Sequence, residues 1–502
     1  MITRRLIPII LIALSGVIAK AEDNLLSRLA DTLHLRTELT ATASHGDFAP
    51  YWMSNNRYGV ASVGNNWGTM RLGISRRQES DADRKWQMGW GLEVAPLLEK
   101  QNSRFVVQQA FFDVQYKKVR LSIGAKERPS ELRNQALSGG ALASGLSARP
   151  IPQVRLELPD FWTIPGTHGW LALKARLGYG FYTDGQWQRE FVNENSNRIY
   201  SKHSLYHTKA GFLRVGNEEK FPVSVTGGLE MNTQFGGKRY SYVDGHPDRT
   251  SIINMKSDLG AFWDVLVLSG DDPTDGIYSN EMGNVTGSWH LSIDYKGNGW
   301  GARGYAEHYF EDHSQLFWQY GWKDMLWGLE LNLPKNPVVS DVVFEYLYLK
   351  HQSGPIYHDK TANIPDQVSA TDNYYAHGIY GAWQHAGFLS GTGLVIPPIY
   401  NSGTIGIRHN RIFSHHFGIM GHPTDEIGYR LLYTDQKSWG TYGTPLIDPQ
   451  SGWTLMTEAT YAPRKLKGLS FALAYGHNSG ELLGNSNGVQ LTVAWNGIIR
   501  KK

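Results

Sequence analysis

Cysteine is absent from the 502 residues, which removes disulfides, thiolate metal ligands and cysteine nucleophiles together. An exported chain without it is held by hydrogen bonds and packing alone. Long apolar runs are missing after the first residues. No later stretch reaches the ~20 apolar residues that a membrane-spanning helix needs, and the mean hydropathy is -0.38. Charge of one sign is lacking as well, with 49 basic residues against 46 acidic ones. Three of the basic residues, Arg4, Arg5 and Lys20, fall in a segment read below as removable, so the remainder balances and no nucleic-acid partner is called for. No Pro/Ser linker, low-complexity tract or clear internal repeat divides the chain.

What is present begins with an export signal. Arg4 and Arg5 form a positive start, Leu6 to Ile18 is almost unbroken apolar sequence, and Ala19-Lys20-Ala21 has the form of a cleavage site. The expected organisation is a signal peptide over 1–21, a short periplasmic segment over 22–32, and one further unit over 33–502. Aromatics make up 12% of the chain, with 17 Trp and 26 Tyr, a level that suits the girdles of a membrane barrel or surfaces that stack on sugars.

The C-terminal segment Val489-Gln490-Leu491-Thr492-Val493-Ala494-Trp495 alternates apolar with small or polar residues, as a strand does between lipid and water. The same period recurs at 33–43, 69–77, 85–94, 104–116, 118–126, 153–158, 170–182, 205–216, 222–234, 288–296, 301–310, 326–333, 338–350, 404–420, 428–437, 452–462, 468–477 and 488–496. These are 18 strands. Their connections alternate in length: short turns such as 217–220, 296–299 and 334–337 lie on one side, and long loops at 44–68, 127–152, 183–204, 235–287 and 351–403 on the other. Segregation of this kind predicts an all-β, transmembrane antiparallel barrel with periplasmic turns and extracellular loops. Lys174, Arg176 and Asp294 must then face the lumen, because charge on the lipid face is costly. Residues 256–268 carry apolar side chains every three or four positions and predict a short amphipathic helix in loop 235–287, a lid or plug element that is not part of the wall.

Several separated motifs resemble the capsule assembly Wzi family. They include Pro50-Tyr51-Trp52-Met53-Ser54-Asn55-Asn56-Arg57-Tyr58-Gly59, Gly124-Ala125-Lys126-Glu127, Ala148-Arg149-Pro150-Ile151-Pro152-Gln153 and Gly228-Leu229-Glu230-Met231. Further on, His308-Tyr309-Phe310-Glu311-Asp312-His313-Ser314, Asp372-Asn373-Tyr374-Tyr375, Asn410-Arg411 with His415-His416, and Trp439-Gly440-Thr441-Tyr442 continue the resemblance. It implies an 18-stranded outer-membrane barrel without catalysis, a lectin that retains or assembles capsular polysaccharide at the cell surface. Residues 22–32 leave room for little more than a helical turn, where Wzi itself carries a periplasmic helical bundle.

A glycan site needs flat aromatic faces for C–H surfaces, with amides, carboxylates and guanidinium groups for hydroxyls and acidic substituents. Loop 44–68 offers Tyr51, Trp52, Asn55 and Arg57; loop 351–403 offers Asp372, Asn373, Tyr374, Tyr375, His377 and Trp383; Arg149, Trp439 and Tyr442 complete the set. The competing expectation is that the aromatics pack the loops over the barrel mouth. Arg57, Arg149 and Arg411 are partners for acidic sugars, or else lumen ion pairs of Glu127, Glu230, Glu330 or Glu345. Asp271, Asp272, Asp275 and Glu281 around Gly276 have the oxygen donors of a calcium loop, but Pro273 sits where a ligand is wanted, so no metal is assigned. His415 and His416 point to opposite strand faces, and His422 lies ~20 Å from His416 along an extended chain. No catalytic residue and no cofactor are expected. The reading is a monomer in outer-membrane lipid that binds capsular or exported polysaccharide, with a porin or carbohydrate-selective channel as the alternative and an outer-membrane hydrolase as the third.

Overall fold

Alternating side chains make each wall strand two-faced, and only a closed sheet leaves no unpaired edge for lipid to meet. The computed structural model describes residues 29–82, 84–99, 104–192, 198–243, 246–272, 282–311, 316, 323–334, 336–357 and 368–500, with backbone alone at 242, 243, 246–250, 353–357 and 368–371. Residues 1–21, expected as a signal peptide, residues 22–28, Asp275, Gly276, Glu281 and the run Asp312-His313-Ser314 lie outside the described residues.

Eighteen antiparallel strands follow one another around the wall. They are β1 (Thr32–Gly46), β2 (Asn66–Arg76), β3 (Trp86–Glu99), β4 (Arg104–Tyr116), β5 (Val119–Ala125), β6 (Gln153–Thr163), β7 (Leu171–Phe181), β8 (Leu205–Val215) and β9 (Val223–Phe235). After these come β10 (Asn284–Lys296), β11 (Gly301–Glu311), β12 (Met325–Asn332), β13 (Asp341–Tyr348), β14 (Ile412–Gly421), β15 (Ile427–Gly440), β16 (Pro445–Tyr461), β17 (Leu469–Gly480) and β18 (Ser486–Arg500). Each pairs with its neighbour in sequence, and β18 closes on β1 with Leu39 opposite Val493 and Thr40 opposite Thr492. This is a barrel of the outer-membrane type, with both described chain ends and the short turns at one end and the long loops at the other. We call these the turn end and the loop end.

All 18 expected strands are present, with three adjustments. Residues 404–411 alternate like a strand, yet β14 starts only at Ile412. They belong to a loop that turns inward. The gap of 438–451 left between the expected strands 428–437 and 452–462 is instead a four-residue turn, because β15 and β16 extend to Gly440 and Pro445. The segment expected as 153–158 runs on to Thr163.

The outward face exposes Leu39, Leu72, Leu92, Leu156, Leu291, Phe344 and Leu491, as lipid requires. The inward face pairs its charges: Asp294 meets Arg303 at 2.6 Å, and Lys174 meets Glu131 at 2.7 Å. No helix among the described residues is long and apolar enough to cross a membrane. Among the described residues three short α-helices lie in the loops: α1 (Tyr51–Ser54), α2 (Gly185–Val192) and α3 (Leu259–Val267). The Asp258 carboxylate caps α3 by accepting from the Ala261 amide at 3.0 Å. This helix does not enter the lumen. It rests on the outer wall, where Phe262 packs on Tyr179 and Phe235, and Lys209 Nζ donates to the terminal carbonyls of Val265 and Leu266 at 3.0 and 2.6 Å.

Candidate functional site

Three of the loop-end connections fold inward instead of standing above the barrel, and together they form a plug. Residues 47–65, 126–152 and 372–411 share one apolar cluster of Tyr51, Trp52, Leu137, Leu142, Trp383 and Leu394, all at most 2% exposed. Backbone polar groups inside a barrel need partners, and here the wall supplies them. Glu345 on β13 accepts from Ser138 Oγ at 2.6 Å and the Gly139 amide at 2.7 Å. Glu307 on β11 takes the Leu142 amide at 2.9 Å and the Arg133 guanidinium. Glu330 on β12 takes the Asn134 amide at 2.7 Å, and Glu230 on β9 takes Ser144 Oγ at 3.0 Å. On the far side Trp52 Nε1 donates to Thr434 Oγ1 at 2.9 Å, and the Tyr51 amide donates to Asn478 Oδ1 at 3.0 Å. His416 Nε2 donates to the Leu137 carbonyl at 2.7 Å, which leaves Nδ1 to accept from Thr434 Oγ1 at the same distance.

This arrangement corrects most of the expected glycan surface. Tyr51, Trp52, Asn55, Tyr374, Tyr375, Trp383 and Asp372 are buried in the plug, so they offer no ring or amide to a polymer arriving at the loop end. The packing alternative holds for them, and its cause is that three loops fill one lumen. Burial pushes the Tyr51, Tyr374 and Tyr375 hydroxyls well above the usual phenol range. It lowers His377 to about 4. His409 falls to about 4 through burial and the neighbouring Arg408.

The three arginines depart from the lumen ion-pair expectation. Lumen carboxylates are taken by Arg71, Arg133, Arg176 and Arg303 and by plug amides, so none of Arg57, Arg149 and Arg411 forms an ion pair with a described residue. Arg149 Nε donates to the Gly59 carbonyl at 3.3 Å, and burial with the nearby Arg104 lowers its pKa to about 10.

Asn373, Trp439 and Tyr442 come together elsewhere, in a patch at the loop-end rim. Ser438 and Gln436 turn inward, and Gln436 Nε2 donates to Leu394 of the plug at 2.7 Å, so the intervening Lys437 and Trp439 turn outward. The Arg411 amide donates to the Gly440 carbonyl at 3.0 Å and the Trp439 amide to the Arg411 carbonyl at 2.8 Å, which fixes the start of β14 beside the 441–444 turn. The Arg411 guanidinium then lies 4.0 Å from the Tyr442 ring centre, and Lys350 Nζ lies 3.9 Å from that of Trp439. Lys437 reaches the same indole at 5.7 Å. Such contacts contribute about 0.5–1 kcal/mol at exposed sites. Tyr442 donates its hydroxyl to the His351 carbonyl at 2.9 Å and is 38% exposed. Exposed Asn373 accepts from Asn410 Nδ2 at 2.6 Å next to it.

The patch therefore sets aromatic rings, an amide and three cations side by side, none of the cations in a salt bridge with a described residue. Lys350 and Lys437 were missed as candidates. Lys437 stands two residues before Trp439 in a period-2 strand, so it could have been read as its neighbour on the outward face; Lys350 could not, because only the fold brings it near.

The described members of the other candidate groups are engaged elsewhere. Asp271 pairs with Lys256 and Asp272 accepts from the Gly283 amide at 3.1 Å, and no group of three metal-ligating side chains occurs among the described residues. His415 stacks outside the wall on Tyr346 while His416 is buried inside.

The fold defines the class: a closed, plugged, 18-stranded antiparallel barrel of the outer-membrane type. By sequence, no protein family and no curated protein matches the chain. By fold it is similar to Wzi of Escherichia coli, an outer-membrane protein involved in group 1 capsule assembly and described as a carbohydrate-binding β-barrel. The TM-score is 0.54 at 14% identity, over 97% of this chain and 88% of that one. It is also similar to two proteins of Pseudomonas aeruginosa. OprD has a TM-score of 0.44 at 11% identity, over 94% of each chain, and OccK3 has 0.45 at 11%, over 94% of this chain and 98% of that one. At these identities the likeness is one of fold.

Proposed function

We propose that the protein is an outer-membrane barrel that binds capsular or exported polysaccharide at its surface and retains or assembles it there without covalent chemistry. In this reading residues 1–21 are removed, the termini lie in the periplasm, the loop end faces outward, and the barrel acts as a monomer. The observation that carries it is the rim patch: Trp439 and Tyr442 offer stacking surface, while Lys350, Lys437 and Arg411 offer charge to acidic sugars without carboxylate partners of their own among the described residues. The fold similarity to a carbohydrate-binding barrel supports it. The test compares cell-bound with shed polysaccharide in cells lacking the gene, alongside binding of the purified protein to the isolated polymer. Loss of surface polymer together with direct binding supports the reading; unchanged polymer and no binding sink it.

A second reading, a porin or carbohydrate-selective channel, draws on the charged cavities that lie beneath the plug. Steady currents through the purified barrel in planar bilayers would favour it.

A further inference from the structure

Beneath the plug, toward the turn end, a cavity of about 430 Å³ lies between residues 52–58 and the inner faces of β1, β2 and β15–β18. Three carboxylates line it, and each already holds an arginine: Glu38 with Arg36 at 2.7 Å, Glu127 with Arg71 at 2.6 Å, and Glu458 with Arg430 at 3.0 Å. Arg57 is the fourth arginine of the lining and is left over. Its Nε and Nη2 are buried and bond to no described residue.

The chain around Arg57 is built to hold it there. Asn56 and Tyr58 both take left-handed backbone angles, φ 54° and 50°, a conformation that costs energy in a tyrosine and persists only where its surroundings impose it. They do so here. Asn56 Nδ2 donates to the Ser138 carbonyl at 3.1 Å, Tyr58 donates its hydroxyl to the Arg128 carbonyl at 3.0 Å, and Gln108 Nε2 donates to the Tyr58 carbonyl at 3.0 Å. A clamped backbone thus presents an unpaired guanidinium to the cavity, while the other three arginines are matched by Glu38, Glu127 and Glu458, and Arg36 and Arg71 also meet Glu93 behind the lining. Two more lining residues hold a buried polar atom without a partner, the donor Trp67 Nε1 and the acceptor Asn55 Oδ1.

We infer that this cavity is a second site, separate from the rim, for a carboxylate-bearing sugar of the hexuronate class, with the carboxylate on the Arg57 fork. A single unpaired guanidinium among three carboxylates suits a monoanion better than a phosphate dianion, and a planar carboxylate can take two guanidinium N–H groups at once. The free indole N–H and amide oxygen suit ring hydroxyls, which acetate lacks. The volume falls at the low end of the roughly 300–1,000 Å³ usual for small-ligand sites. A larger cavity of about 810 Å³ shares Arg36 and Glu38 with it and extends to Arg77 and Gln78 at the turn end, so the ligand enters from that end. Only the identification of that side as the periplasm rests on the proposed orientation.

The test uses the full-length barrel in detergent and titrates D-galacturonate and D-glucuronate, with D-galactose, acetate and inorganic phosphate as separate arms, by calorimetry. Saturable binding of a uronate at least about tenfold tighter than the other three is expected. Arg57→Gln should lose it at an undiminished melting temperature, and Arg57→Lys, which keeps the charge but not the fork, should fall between. Absence of saturable uronate binding, equal binding of galactose, acetate or phosphate, or full binding by Arg57→Gln overturns the inference. If Arg57→Gln does not fold, Arg57→Lys binding as tightly as the parent overturns it. Polymer retention reads the rim, so either site can fail without the other.

Discussion

In the plug, Tyr51, Trp52, Tyr374, Tyr375 and Trp383 bury their rings, and each polar tip finds a partner: Gly393 O, Thr434 Oγ1, Asp324 Oδ2, Leu142 O and Ala143 O in turn. At the rim, Trp439 and Tyr442 stand beside cations and Tyr442 is open to solvent. Residue type is the same in both places. What separates them is whether a loop turns in or out, because a ring enclosed by other loops works as core, and one at an outward hairpin is available to a ligand. The arginines divide the same way: Arg133 and Arg176 pair with carboxylates across the boundary of plug and wall, and Arg411 at the rim stacks on an aromatic without an acidic partner among the described residues.

The contrast breaks most sharply at Trp52. Trp52→Ala removes a large ring from the plug core and should cost about 3–5 kcal/mol. The melting temperature of the purified barrel should fall, and ion flux should appear in planar bilayers where the parent shows little. A smaller loss, about 2 kcal/mol, is expected for Glu345→Gln, which weakens an acceptor shared by Ser138 Oγ, the Gly139 amide and the Tyr305 hydroxyl. Hydrogen exchange at residues 137–140 should quicken while the strands stay protected.

Acid acts on the same loop. His377 and His409 hold pKa values of about 4 when docked, against about 6.5 in a free loop. Between those values only the undocked loop takes up protons, so docking is at full strength above about pH 6.5 and weakens as the pH falls toward 4. The expected loss is on the order of 1 kcal/mol per ring, discounted for partial exposure. Protease cleavage within 372–411 should rise from pH 7 to pH 4.5, and an unchanged rate would contradict the placement of these histidines. Smallest of all is the stability effect of Tyr442→Ala, about 1 kcal/mol or less, because the ring covers no core and gives up only its contact with Arg411 and its bond to the His351 carbonyl.

The wall was legible from the sequence because its signal is local. Lipid on one side and polar groups on the other impose period two on every strand, and β18 shows this at Val489, Leu491, Val493 and Trp495 without reference to any other segment. The plug was not legible. Ser138 meets Glu345 and Leu142 meets Glu307 across 207 and 165 positions of chain, and nothing in either neighbourhood says that loop 126–152 turns inward. Residues 404–411 misled for the same reason: Ile405 and Ile407 alternate like a strand, but both are buried in the plug. At the rim, Trp439 and Tyr442 could be named from their motif, whereas the approach of Lys350 depends on closure of the barrel.

The central claim is that the rim, not the plug, meets the polymer. It is tested most directly by measuring the affinity of purified protein for the polysaccharide of its own cell surface, comparing the parent with Tyr442→Ala, Arg411→Ala and Trp52→Ala. The expected result is a loss of about tenfold or more for each rim change, as for the truncation of a hot-spot residue, with Trp52→Ala within about twofold of the parent. Rim variants that bind like the parent, together with a Trp52→Ala protein that is folded and does not bind, would contradict the account.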